Sequence, residues 1–322
     1  MDRTQLGSII GFLKEKGFDD EAINDMLKRC KRLEGVGRER ASENWIYLNT
    51  IGIHERKIPS LVSKCPKILA LGLNEKPVPM VQCLATLGTK PSDVSMAITR
   101  FPHILSHSID EKLCPLLAFF QALAIHEKQL GKVLLLNPRL ISYSIESKLT
   151  QITEFLSSLG LNREGMIGKI LVRHPFIMGY SVEKRLQPTS DFLKSIGLKE
   201  QDLQRVAMNF PEVLCRDVKK IPGTNLMYLR NTGFNDKQIV VLVTGYPPIL
   251  IKSSLEPRIK FLREVMGRDL DEIANYPECF EHGLKKRLEL RHRMLKQRNI
   301  GCSLCEMLEC NHRKFVLKFS IC

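Results

Sequence analysis

Prolines recur along this chain at a nearly fixed interval, and that interval constrains the fold more than any other feature. They stand at Pro66, Pro102, Pro138, Pro175, Pro211, Pro247 and Pro277, in steps of 36, 36, 37, 36, 36 and 30 residues. Glycines recur in the same register at Gly17, Gly52, Gly88, Gly160, Gly197 and Gly233. The slot the glycines skip holds Ala124, within Ala122-Leu123-Ala124-Ile125. Two independent markers sharing one register identify a repeat protein.

Residues 144–180 show what one unit encodes. Ser144 can accept hydrogen bonds from the free N–H groups that open a helix, and Glu146 suits its positive end. Leu149, Ile152, Phe155, Leu156 and Leu159 follow at helical spacing. Gly160 ends this helix, since glycine tolerates the left-handed cap. Asn162 is expected to cap a second helix carrying Ile167, Ile170 and Leu171. Pro175 stops that helix, because it lacks a donor and disfavours helix in the residue before it. Phe176-Ile177-Met178 then turns the chain back. Ser108 with Asp110, Ser181 with Glu183, and Ser254 with Glu256 repeat the helix start. Cys30-Lys31 stands where later units have the proline, which predicts a less sharp stop there.

A helix-Gly-helix-Pro unit cannot bury its apolar face alone, but stacked units can. The sequence therefore predicts an all-α superhelical solenoid of about eight ~36-residue repeats. The last repeat is short between Gly267 and Pro277, as terminal caps commonly are. No Gly/Ser linker interrupts the chain, so one elongated domain is expected: a repeat solenoid over 1–288, then a C-terminal basic helix and cap over 289–322.

The 322 residues include 49 Lys and Arg against 35 Asp and Glu, a formal net charge of +14. Such an excess attracts polyanions, nucleic acid foremost. Apolar runs such as Val133-Leu134-Leu135-Leu136 fall far short of the roughly 20 residues that span a bilayer. No membrane role is expected. Six of the ten cysteines, Cys30, Cys65, Cys83, Cys114, Cys215 and Cys279, sit singly among aliphatics or before proline, as free core thiols do. That usage indicates a reducing compartment. After Met1 the chain enters Asp2-Arg3-Thr4-Gln5 and an amphipathic stretch, with no signal-peptide core and no visible transit peptide.

No phosphate-binding Gly-x-x-x-x-Gly-Lys-Ser loop, His-Glu-x-x-His or Gly-x-Ser-x-Gly elbow is present. Neither an enzyme, a cofactor nor a small-molecule substrate is expected. His103 and His107 are four apart, but Pro102 and Ser108 place them in a turn. Cys302-x-x-Cys305, with Cys310, His312 and Cys322, has zinc-ligand chemistry. Its spacing is not that of a zinc ribbon, and Leu304, Met307 and Leu308 make the stretch an amphipathic helix. Free thiols in a terminal cap are the expectation, and no metal is assigned.

Charge serving a polyanion should recur in register. Ten residues after the marker proline stand Lys76, Lys112, Lys148 and Arg185, with Lys219, Lys220 and Arg258 within about a position in later units. Aligned in a solenoid, these form a stripe suited to a phosphate backbone. The competing reading is solvated first-turn residues paired with Glu75 or Glu111. Lys28, Arg29, Lys64, Arg100, Arg139, Arg173 and His174 form a second set at helix C-termini, where the helix dipole alone accounts for them. The densest cluster is Lys285, Lys286, Arg287, Arg291, Arg293, Lys296 and Arg298, with Glu289 the one acid among them. That is more charge than a helix needs, and it points to phosphate contacts that position without reading sequence.

Tetratricopeptide and pentatricopeptide repeats share the period but lack the fixed proline and the Leu-Gly-Leu between helices. Phe192-Leu193-Lys194-Ser195-Ile196-Gly197-Leu198 and Asn209-Phe210-Pro211-Glu212-Val213-Leu214 instead closely resemble the mitochondrial transcription termination factor (mTERF) family, in its plant organellar branch. Lys64-Cys65-Pro66-Lys67-Ile68-Leu69, Arg100-Phe101-Pro102-His103-Ile104-Leu105 and Asn137-Pro138-Arg139-Leu140-Ile141 repeat the signature. The resemblance covers essentially 12–320. It departs at Leu288-Glu289-Leu290, where a more basic run with a proline would precede Arg291. The resemblance implies a left-handed superhelix with a basic groove, location in chloroplast or mitochondrion, and binding of double-stranded DNA in transcription termination. It leaves RNA binding in splicing or ribosome assembly as the alternative, and the fold alone also suits a protein-binding scaffold. A monomer is expected.

Overall fold

The structure, a computed structural model, describes residues 3–87 and 90–320. Met1, Asp2, Gly88 and Cys322 lie outside those residues. Among the described residues all regular structure is helical. The chain forms two compact units. One comprises Met1–Glu154 with Asn162–Gly179, and the other Phe155–Leu161 with Tyr180–Cys322.

The repeat runs first helix, break, second helix, closing turn; the turn opens on proline in all but the first repeat, and the break has positive φ at Gly17, Gly52, Ala124, Gly160, Gly197, Gly233 and Gly267. In the second unit, Gln187–Ile196 ends at Gly197 (φ +111°), Glu200–Asn209 follows, and Pro211–Leu214 closes the repeat. Gly17, Gly52, Gly160 and Gly233 hold φ between +85° and +98°. Ala124, in the slot without glycine, adopts φ +58° all the same. The geometry belongs to the repeat, and alanine tolerates it at a cost.

The Cys30-Lys31 junction ends its helix as sharply as the proline junctions do. Cys30 sits at φ −138°, ψ 82°, beside −139°, 74° for Cys65 and −138°, 78° for Phe101. The stop is made by the tight turn that follows. The Leu33 amide bonds the Cys30 carbonyl at 2.9 Å, as Ile68 bonds Cys65 at 3.1 Å. Burial of Leu33, Ile68 and Leu69 anchors these turns. Proline favours the break, and lysine permits it.

The first helices open as expected at three starts. Ser108, Ser144 and Ser181 accept from the amides of Glu111, Ser147 and Lys184 at 3.3, 3.2 and 3.1 Å. Their first turns are wide, closed by Leu113, Leu149 and Leu186 amides bonding the serine carbonyls five residues back at 3.3, 3.1 and 3.1 Å. Ser254 departs from the expectation: it caps nothing and instead accepts from Arg258 Nε at 3.3 Å. Asn162 departs as well. The second helix begins at Met166, behind Gly165 at φ +73°. Within this helix a Cβ at Gly168 would meet the Leu123 carbonyl at 2.3 Å. The helix lies too close to the preceding turn for any larger residue.

First-helix polar side chains tie the proline turns down. Asn44 Nδ2 donates to the Leu71 carbonyl at 3.0 Å, Thr189 Oγ1 to Arg216 at 3.0 Å, and Asn225 Nδ2 to Leu250 at 2.9 Å. Adjacent turns meet through Cys65 Sγ and His103 Nδ1, 3.3 Å apart, and through Asn137 Nδ2 donating to the Pro175 carbonyl at 3.2 Å. These bonds satisfy buried backbone carbonyls that the broken helices leave free.

Candidate nucleic-acid interface

The wide first turns decide how several of the stripe candidates are presented. In each, a leucine is fully buried, Leu113, Leu149 or Leu186, and the cation precedes it. Lys112 is thereby exposed, as is Lys76 before the buried Pro77. Neither forms an ion pair with Glu111 or Glu75 among the described residues, so acid pairing does not account for them. Lys220 and Lys219 are exposed too. Lys148 is half-buried, its Nζ 5.8 Å from the centre of the Tyr143 ring.

Two stripe positions have structural work. Arg185 Nη1 pairs with Asp217 Oδ2 at 2.9 Å, and the hydrogen bond from Arg185 holds the Asp217 carboxyl below its ordinary range. Arg258 is buried at 8% exposure, donates to the His282 carbonyl, and has its guanidinium pKa pushed down by burial. It makes the turn-binding bond that Thr189 and Asn225 make in other repeats. Arg258 lies eleven residues after its proline, not ten. One position rotates a side chain by about 100° on a helix, here from solvent to core.

The C-terminal cluster divides similarly. Arg291 is 2% exposed. It donates to the Met307 carbonyl at 2.6 Å and the Cys310 carbonyl at 2.8 Å. Arg287 Nη2 donates to Leu308 at 2.6 Å and Cys310 at 2.8 Å. Arg298 bonds the Ser320 carbonyl. These arginines fasten the final helices, Leu304–Leu308 and His312–Lys318, to the chain before them. Lys285, Lys286, Arg293 and Lys296 remain exposed.

In the helix C-terminal set, Arg29 pairs with Asp25 at 2.7 Å and reaches the Ser63 carbonyl at 2.8 Å. Arg139 lies 5.8 Å from the Phe101 ring centre. Arg100 and Arg173 line clefts beside the Glu127–Leu136 helix, which lies between the Pro91–Arg100 and Met166–Arg173 helices of the first unit. Lys90, Lys128, Lys132 and Lys169 share those clefts and are exposed. Sequence reasoning missed these four. A signal was present, since Lys132 and Lys169 are 37 residues apart, one repeat.

No group of three or more His, Cys, Asp or Glu side chains converges among the described residues. The Cys302 and Cys310 carbonyls are held by Arg268, Arg287 and Arg291, while Cys305 Sγ faces Glu309 at 3.7 Å. His103 and His107 lie in the proline turn, His107 stacked on Phe101 at 6.4 Å between ring centres. Among the described residues, no helix is long and apolar enough to cross a membrane.

The mTERF family model matches residues 2–166 and 156–316. The chain belongs to the mTERF family. It is 60% identical over 324 aligned residues, covering 99% of this chain and 97% of the relative, to transcription termination factor MTERF6, chloroplastic/mitochondrial, of Arabidopsis thaliana. It is 26% identical to transcription termination factor MTERF4, chloroplastic, of Oryza sativa subsp. japonica, over 36% of this chain and 23% of that protein. The Arabidopsis thaliana MTERF2, chloroplastic, is 24% identical over 36% of this chain and 18% of its own length. The alignment with the first relative runs nearly the full length of both this mTERF chain and that protein.

Proposed function

We propose that this mTERF protein acts in a chloroplast or mitochondrion as a transcription termination factor that grips double-stranded DNA through its phosphate backbone. The observation that carries this reading is the pair of exposed lysines one repeat apart, Lys76 and Lys112, that form no ion pair among the described residues, with Lys220 exposed at the corresponding place in the second unit. Repeat spacing turns single cations into a row, and a row of cations suits a regular polyanion. Exposed Lys285, Lys286, Arg293 and Lys296 extend the basic surface near the C-terminus. Full-length similarity to a relative named as a chloroplastic/mitochondrial transcription termination factor supports the process and the compartment. Contacts of this kind give affinity and position, so target choice falls to groups that reach base edges.

The test is competition between a labelled duplex and RNA of matched sequence, titrated over salt. Preference for the duplex, with affinity falling steeply as salt rises, is the expected result. Preference for RNA moves the function to splicing or ribosome assembly. Binding of neither at low salt overturns the reading and leaves the protein-binding scaffold.

A further inference from the structure

The clefts flanking the Glu127–Leu136 helix combine two chemistries that a duplex-gripping surface does not need. The first, of about 340 Å³, is lined by Lys90, Arg100, Lys128 and Lys132 over a floor of Met96, Leu135 and Leu136. Asp93 is its one acid, and that carboxylate accepts from the Lys90 amide at 3.4 Å. The second, of about 620 Å³, is lined by Lys132, Lys169 and Arg173 with Ala124, Leu136 and Val172. Lys132 and Leu136 line both, so the clefts adjoin along the Glu127–Leu136 helix.

The helix dipole accounts for Arg100 and Arg173, the last residues of their helices, but not for Lys90 and Lys128. Lys90 is the N-cap of Pro91–Arg100, and Lys128 is the second residue of Glu127–Leu136. The helix dipole opposes positive charge at both places. None of Lys90, Arg100, Lys128, Lys132 or Lys169 forms an ion pair among the described residues, and like charges crowded on one face repel. Met96 is 46% exposed within the first cleft, an apolar side chain left in water. Cations at the rim fit phosphates, and an apolar floor fits the face of an unpaired base. A duplex keeps its base faces stacked and offers phosphates, sugars and base edges only.

We infer that this pair of clefts is a binding site for single-stranded nucleic acid, with phosphates on Lys128, Lys132 and Lys169 and a base resting on Met96 and Leu136. Both clefts fall in the 300–1,000 Å³ range of small-ligand sites. The site is separate from the first-turn stripe and does not rest on the duplex reading.

The test is fluorescence anisotropy of the full chain with a labelled 12-nucleotide oligo-dT and with a duplex of equal length, over a salt series. Single-strand binding by the wild type is expected. The K128Q/K132Q/K169Q variant should flatten the single-strand salt dependence by about two units, since each lost phosphate contact removes about 0.7. Met96→Gln, at an exposed position, should weaken oligo-dT several-fold while leaving its salt slope and the duplex affinity unchanged. Circular dichroism confirms that each variant is folded. The inference is overturned if both variants bind oligo-dT like the wild type, or if Met96→Gln weakens duplex and oligo-dT alike. A wild type that binds duplex but not oligo-dT overturns this site and leaves the duplex reading. A wild type that binds neither overturns both.

Discussion

The Arg291 guanidinium lies 4.5 Å from the centre of the Phe315 ring and forms no ion pair among the described residues. Its donors go to the Met307 and Cys310 carbonyls. Burial pushes its pKa down, yet an arginine stays charged at any ordinary pH. The charge is thus held by carbonyl dipoles and a ring face. Arg291→Met should cost about 2–4 kcal/mol of local stability, because two buried carbonyls lose charge-assisted bonds. Arg291→Lys should recover only part of it, since lysine lacks the planar fork. Hydrogen exchange checks this: Leu304–Leu308 and His312–Lys318 should lose protection first.

Lys285 and Lys286 give the contrasting outcome. Both are exposed in the turn of the helix that carries Arg287 and Arg291 inward. Lys285→Gln with Lys286→Gln should leave the melting temperature within about 2 °C, as surface substitutions usually do. If these lysines touch phosphates, the slope of log affinity against log salt should fall by about two units on duplex DNA. An unchanged slope with unchanged stability would remove the C-terminal lysines from the interface.

The fold was legible because its markers are backbone conformations. A positive φ asks for glycine, and a helix stop asks for proline, so both survive in the sequence at the repeat period. Asn162 has the side chain of a helix cap, yet Gly165 at φ +73° stands at the helix start instead, a backbone choice that the cap residue alone does not reveal. The site was less legible. Lysine and arginine look alike whether they face solvent, as Lys112 does, or the core, as Arg258 does, and one helical position separates the two outcomes. Lys128, Lys132 and Lys169 come together only when second helices of neighbouring repeats pack, so no single unit displays them.

Ala124 makes the repeat geometry measurable. Its φ of +58° is one an L-residue with a Cβ pays for, by roughly 1–2 kcal/mol. Glycine relieves that strain and gives back part of the gain through its greater freedom when unfolded. Ala124→Gly should therefore stabilise the first unit by about 0.5–1 kcal/mol. Gly197→Ala, at φ +111° with Val240 Cγ2 3.1 Å from a new Cβ, should destabilise the second by more than 1 kcal/mol. Urea unfolding of both variants reads the opposite signs.

The cysteines should separate by burial when the native chain meets a thiol reagent. Burial pushes the Cys65 thiol up to about 11 and the Cys215 thiol up to about 12, and it raises Cys279 as well. Thiolate is the reactive form, so all three should resist alkylation until the chain unfolds. Cys114 and Cys305 are exposed and should label first. Peptide mapping after a short iodoacetamide pulse gives the order, and early labelling of Cys279 would show that its repeat opens readily.

His282 should make the stability of the second unit depend on pH. Burial, then the charges of Arg287, Arg291, Arg258 and Lys252, lower its pKa to about 4. The unfolded chain protonates this imidazole near 6.5, whereas the folded chain resists until about 4. Below 6.5 the unfolded state therefore binds more protons, and stability falls as pH falls. The contribution is fully present above about pH 7, is lost progressively between 6.5 and 4, and does not change further below that. His292 is lowered in the same direction by burial, so it adds to the slope, and His107, also lowered by burial, acts in the same sense on the first unit. His282→Gln removes the titrating group but keeps the backbone carbonyl that Arg258 binds. Melting temperatures of the variant should fall less than those of the wild type between pH 7 and pH 5. Parallel curves would mean that His282 is open to solvent when folded, and that Arg258 and Arg291 do not surround it as described.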